Sequence, residues 1–115
     1  MSVMAMDWVR VGKLVDIPRQ GSRRVKAGSM TIAVFRTADD RVFALEDKCP
    51  HKQGPLSQGI VHGDCVTCPL HNWVIALDTG EACGADEGRV VRFPVRLDGN
   101  DIFLSFPSDG SQEGR

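Results

Sequence analysis

Apolar residues recur along the chain in short runs rich in valine, isoleucine and phenylalanine, cut every few positions by turn-forming residues. "WVRVGKLVDI" (8–17), "MTIAVFRT" (30–37) and "RVFALED" (41–47) read as β-strands, because β-branched and aromatic side chains suit a pleated, half-buried surface. The "ADD" between the last two marks a tight turn and makes them a hairpin. "IVHGDCVTC" (60–68) predicts a second hairpin, turning at His62-Gly63-Asp64. "WVIALDTGEA" (73–82) reads as a strand running into an Asp-Thr-Gly turn. "VVRFPVRLDGNDIFLSF" (90–106) predicts a third hairpin around Asp98-Gly99-Asn100. No window of helical length carries apolar residues at i, i+3, i+4 and i+7. The basic stretch "RQGSRRVK" (19–26) reads as a solvated loop able to steer an acidic partner surface. The expectation is an all-β domain of short antiparallel strands over residues 1–106, followed by a disordered tail at 107–115, "PSDGSQEGR".

Composition narrows the function classes. With 115 residues, 42% hydrophobic and 25% charged, the chain suits one domain with a modest core. A formal net charge of −1 supplies no basic field for nucleic acid or an anionic membrane surface. No apolar run reaches membrane-spanning length, and "MSVMAMDWVRVG" lacks the charged and apolar regions of a signal peptide. A cytoplasmic location is therefore expected. There, the four cysteines (Cys49, Cys65, Cys68 and Cys83) are expected to be thiols or metal ligands, not disulfides.

Two Cys–His pairs carry the chemistry. Cys49 and His51 flank Pro50 in "KCPHKQG", and Cys68 and His71 lie three positions apart in "TCPLHNW". Each pair follows a strand and so falls in a loop. Two thiolates plus two imidazoles suit tetrahedral zinc, and they equally suit an iron–sulfur cluster. Zinc sites of this composition usually pair Cys with Cys on a knuckle and His with His on a helix. Here each loop offers one of each, which favours a binuclear cluster: one iron on Cys49 and Cys68, the other on His51 and His71, as in Rieske centres. A zinc-stapled interaction module is the alternative. Replacing two thiolates by neutral imidazoles leaves the oxidised site formally neutral instead of doubly negative, so adding an electron costs less in a partly dehydrated loop. Pro50, Gly54, Pro55 and Pro69 are expected to hold tight turns whose backbone N–H groups can point at sulfides. No nucleophile–base pair or open metal position is evident, so no bond-making catalysis is expected within the chain.

On these motifs the chain resembles the Rieske family over about residues 8–106. The resemblance implies a sandwich of small antiparallel sheets, with a cluster-binding loop subdomain at about 46–80 and a [2Fe–2S] cluster on Cys49, His51, Cys68 and His71. Respiratory members carry two further cysteines that staple the loops; Gly54 and Leu70 stand there instead. Their Ser and Tyr donors after the second ligand His are replaced by Trp73 and Ile75, and the chain has no Tyr. That implies a potential near the bottom of the Rieske range, about −150 mV. More closely, "GIVHG", "CPLHNW" and "GADEGRVVRFPV" resemble the small-subunit family of NAD(P)H-dependent assimilatory nitrite reductases. The implied partner is a large subunit holding sirohaem, a [4Fe–4S] centre and flavin, which reduces nitrite to ammonia. The rival within the family is a free ferredoxin feeding an aromatic-ring dioxygenase.

Other residues have plainer expectations. His62 decorates a hairpin turn, and Cys65 and Cys83 act as small buried hydrophobes. Trp73 packs beneath the second loop. Pro55, Leu56 and Leu70 are expected to form an apolar rim around the His tips, where a partner docks.

Overall fold

The computed structural model describes residues 6–27, 30–48, 55–68, 73–83 and 88–107. These form three small antiparallel sheets. The central sheet has the order β2 (Gly21–Ala27), β3 (Met30–Arg36), β4 (Val42–Glu46) and β8 (Arg92–Phe93). On one side lies β1 (Met6–Lys13), β10 (Asp101–Pro107) and β9 (Val95–Asp98), in that order. On the other lies β5 (Ile60–His62), β6 (Cys65–Thr67) and β7 (Val74–Ala76).

The central position of β3 and β4 follows from their sequence. Strand side chains alternate between faces, and here both sets are apolar. Ile32, Val34, Val42 and Ala44 enter one buried layer with Ile102 and Leu104 of β10. Ala33, Phe35 and Leu45 enter a second layer with Val61, Val66 and Ile75 of the β5–β6–β7 sheet. A strand buried on both faces reads as a continuous apolar run, as "TIAVF" does. The β3–β4 register runs from Ile32↔Glu46 to Arg36↔Val42, and Asp40 takes a positive φ of 68° in the turn between them.

Three expectations change. The basic stretch at 19–26 is not a solvated loop: it enters β2, paired along its length with β3 from Gly21↔Arg36 to Ala27↔Met30. Its charges are largely neutralised within the chain, by Arg19–Asp40 at 3.0 Å, Arg23–Asp16 at 3.5 Å and Arg24–Asp47 at 3.0 Å. A basic edge strand also discourages further strands from adding to the sheet. The strand expected to reach residue 17 ends at Lys13. A 3-10 turn follows (Leu14–Asp16), where Asp16 Oδ2 accepts the Lys13 N–H at 3.0 Å and buried Ile17 anchors the exit. Beneath it, Arg36 Nη1 donates to the Ile17 carbonyl at 2.7 Å and the Leu14 carbonyl at 3.1 Å. Finally, the hairpin expected over 90–106 is β9 and β10 alone. Pro94, lacking an N–H, separates β9 from β8, which pairs with β4 in the central sheet. Residues 108–115, most of the expected tail, lie outside the described residues.

Candidate metal centre

The β5–β6–β7 sheet is built from strands of three residues each, with Val61↔Val66 and Val66↔Ile75 in register. Gly63 closes the first hairpin at a φ of 56°. Beside that turn His62 Nε2 and Thr67 Oγ1 share a hydrogen bond at 2.7 Å, so His62 decorates the hairpin as expected. Cys68 follows the last residue of β6. Its N–H donates to the Trp73 carbonyl at 2.7 Å, which draws together the two ends of the loop that contains His71. Its free thiol is 1% exposed and lies in the apolar layer with Leu45 and Leu77. A water-shielded thiol at a loop root is suited to bind iron as a soft thiolate. Trp73 is half-buried against the same layer, as expected.

The first loop leaves from the end of β4. The Glu46 N–H donates to the Val91 carbonyl at 2.8 Å and the Asp47 N–H to the Thr31 carbonyl at 2.9 Å. The chain returns at Pro55 and enters a 3-10 turn, Leu56–Gln58. Gly59 then lets that turn lie against β6: a Cβ there would overlap the Thr67 carbonyl oxygen and sit 2.9 Å from Val66 Cγ2. The two loop roots are thus packed backbone to backbone, one residue before Cys68. Cys49, His51 and His71 lie outside the described residues, as do Pro50, Gly54, Pro69 and Leu70. The expected apolar rim loses Leu56, which is fully buried in the layer with Phe35 and Leu45. Pro55 is exposed.

Sequence reasoning missed Asp47 and Ser57. The Asp47 side chain is 1% exposed, and its carboxylate accepts the Ser57 N–H at 2.7 Å and the Ser57 hydroxyl at 2.8 Å. An acidic residue just before the first Cys–His pair was the available signal, but nothing in the sequence distinguishes it from an exposed turn residue. Cys65 and Cys83 are free, half-buried thiols. Burial pushes the Cys65 thiol pKa upward, reinforced by neighbouring Cys83, Asp64 and Asp78. The shift disfavours the reactive thiolate, which fits a structural role.

Short strands, glycine-assisted close packing and a buried thiol at a loop root set this end of the β-sandwich apart as the candidate metal centre. The chain belongs to the Rieske-like [2Fe–2S] domain family, whose pattern matches residues 7–105. It is a [2Fe–2S] protein of Rieske type, and its work is electron transfer. It is 36% identical to the anthranilate 1,2-dioxygenase ferredoxin subunit of Burkholderia cepacia over 92 residues, 79% of this chain and 84% of that one. Among solved structures, the ferredoxin complexed with oxygenase in carbazole 1,9a-dioxygenase superposes with a TM-score of 0.75 at 28% identity, covering 84% of this chain and 99% of that one. A candidate small subunit of an NADPH nitrite reductase superposes at 0.76 with 26% identity, covering 85% and 97%.

Proposed function

We propose that the chain is the electron-carrying small subunit of a cytoplasmic NAD(P)H-dependent nitrite reductase, with Cys49 and Cys68 on one iron and His51 and His71 on the other. When bound, the cluster supplies one-electron redox chemistry at a potential raised by its imidazole ligands. The residues of this chain do the holding. Cys68 contributes a dry thiolate from a rigid root, while the histidine-bearing loops are the exit toward a partner. The likeness of "GIVHG", "CPLHNW" and "GADEGRVVRFPV" to nitrite reductase small subunits carries the choice of partner. The similarity to a candidate nitrite reductase subunit along nearly its whole length supports it. That partner, holding sirohaem, a [4Fe–4S] centre and flavin, would pass electrons to nitrite.

The 36% identity to a dioxygenase ferredoxin favours a second reading, a ferredoxin that serves an aromatic-ring oxygenase. Affinity purification of the tagged holoprotein from its own cells separates the two. Recovery of a sirohaem-containing subunit that reduces nitrite with NAD(P)H supports the first. Recovery of an oxygenase without sirohaem overturns it in favour of the second.

A further inference from the structure

The carboxylate of Asp47 is the most deeply placed charge at the root of the first loop, and nothing in the electron-transfer reading uses it. Its side chain is 1% exposed, yet it accepts two hydrogen bonds, from the Ser57 N–H at 2.7 Å and the Ser57 hydroxyl at 2.8 Å, and pairs as an ion with Arg24 Nε at 3.0 Å. Ser57 is held from its other side too, where its carbonyl accepts the Ser22 hydroxyl at 2.6 Å. Burying a carboxylate is costly unless it is paired and hydrogen-bonded, and removing its partners leaves that cost uncompensated. Such a group persists where it fixes geometry. Asp47 and Ser57 are ten residues apart, and between them lies the segment with Cys49 and His51. No ladder joins these two residues, because β4 ends at Glu46 and the returning chain forms only a three-residue 3-10 turn. The charge-assisted hydrogen bonds stand where a ladder would otherwise close the loop.

We propose that Asp47 is a positioning residue: with Ser57 it clamps the two ends of the first ligand loop and so holds the Cys49–His51 pair in place on the cluster. This rests on the assignment of that pair as ligands. Arg24, 58% exposed on its side chain, orients the carboxylate from the solvent side and is the lesser partner.

The test follows the holoprotein during challenge with a ferrous chelator, by the loss of visible absorbance. The reduction potential and the EPR spectrum of the reduced protein are measured alongside. Asp47→Asn is expected to release iron at least roughly tenfold faster, equivalent to about 1.4 kcal/mol at the opening step, and to shift the potential and the spectrum. Ser57→Ala, which deletes one hydrogen bond, is expected to show a smaller change of the same kind, and Arg24→Gln the smallest. Should Asp47→Asn fail to retain iron on purification, Ser57→Ala decides. Variants that melt earlier but keep wild-type iron release, potential and spectrum would overturn the clamp and leave Asp47 a structural ion pair. A wild-type spectrum without the signature of histidine ligation would overturn the ligand assignment, and the clamp with it. An ordinary wild-type spectrum with unmoved variants overturns the clamp alone.

Discussion

The two faces of the β3–β4 hairpin are covered in different ways. One is roofed by long strands: β1 has eight residues and β10 seven, joined by a ladder from Met6↔Pro107 to Lys13↔Asp101. The other is roofed by strands of three residues, a single 3-10 turn and two loops. Both layers are dry and apolar. What differs is how the covering backbone is held. The long roof satisfies its polar groups within its own ladder. The short roof relies on clamps from elsewhere: Asp47 on Ser57, the Gln20 amide on the Val61 carbonyl at 3.3 Å, and Arg41 on Asp64. A functional end needs loops, loops cannot carry long ladders, and their stability must come from side chains.

Two truncations of similar size test whether the layers really divide the labour. Leu45→Ala empties part of the layer that holds Cys68, and Ile102→Ala part of the layer under β1 and β10. Both side chains are at most 1% exposed, so each variant is expected to lose about 2–5 kcal/mol in denaturant titrations. Only Leu45→Ala is expected to accelerate iron release as well. Equal release from the two variants would show that the cluster reports the stability of the whole molecule, and the division between faces would be lost.

Glycines give a finer distinction inside the short roof. At Gly59 an added methyl meets backbone on a neighbouring strand, and neither side can yield without separating the loop roots. Gly59→Ala is expected to cost about 1–3 kcal/mol and to loosen the cluster. At Gly63 the added methyl meets nothing within 4 Å, so Gly63→Ala carries only the cost of a positive φ, about 1 kcal/mol. Thermal melts compared with chelator release read both quantities. A Gly63→Ala protein that loses iron as fast as Gly59→Ala would place the sensitivity in the hairpin turn instead of the root.

The same contrast explains what the sequence made legible. The apolar runs of β3, β4 and β10 announce themselves because long, regular strands leave a repeated pattern. The Cys–His spacing is equally plain as a sequence pattern, though Cys49, His51 and His71 lie outside the described residues. β2 was hidden: its exposed edge is written in arginines, and only the pairing of Arg23 with nearby Asp16 and of Arg24 with distant Asp47 explains why they tolerate a strand. Leu56 was misplaced because an apolar residue beside a ligand loop can roof the core or rim the site, and periodicity cannot separate the two over three residues. Asp47 was invisible for a related reason. Its burial depends on Ser57 and Arg24 arriving from other parts of the chain.

The smallest expected effect concerns pH, and it divides between the β3–β4 turn and the β5–β6–β7 sheet. In the turn, Arg19 and then Arg36 hold the Asp40 carboxyl below its usual range, and the Thr37 hydroxyl does the same for Asp39. A depressed folded pKa means that the unfolded chain binds the proton more readily. The stabilisation is therefore present above about pH 3.9 and fades as the pH falls further. Cys65, in the β5–β6–β7 sheet, has the opposite sign. Its thiol pKa is raised by burial and by Cys83, so the unfolded chain ionises first. That stabilisation is complete below about pH 8.5 and drains away as the pH rises beyond it. Melting midpoints of the holoprotein across the pH range should fall on both sides. Asp40→Asn is expected to flatten the acid side alone, and Cys65→Ala the alkaline side alone. Visible absorbance should fall together with the midpoint on the alkaline side, because Cys65 lies in β6, which leads directly into Cys68. A Cys65→Ala protein with an unchanged alkaline decline would assign that decline to another group and detach it from this sheet.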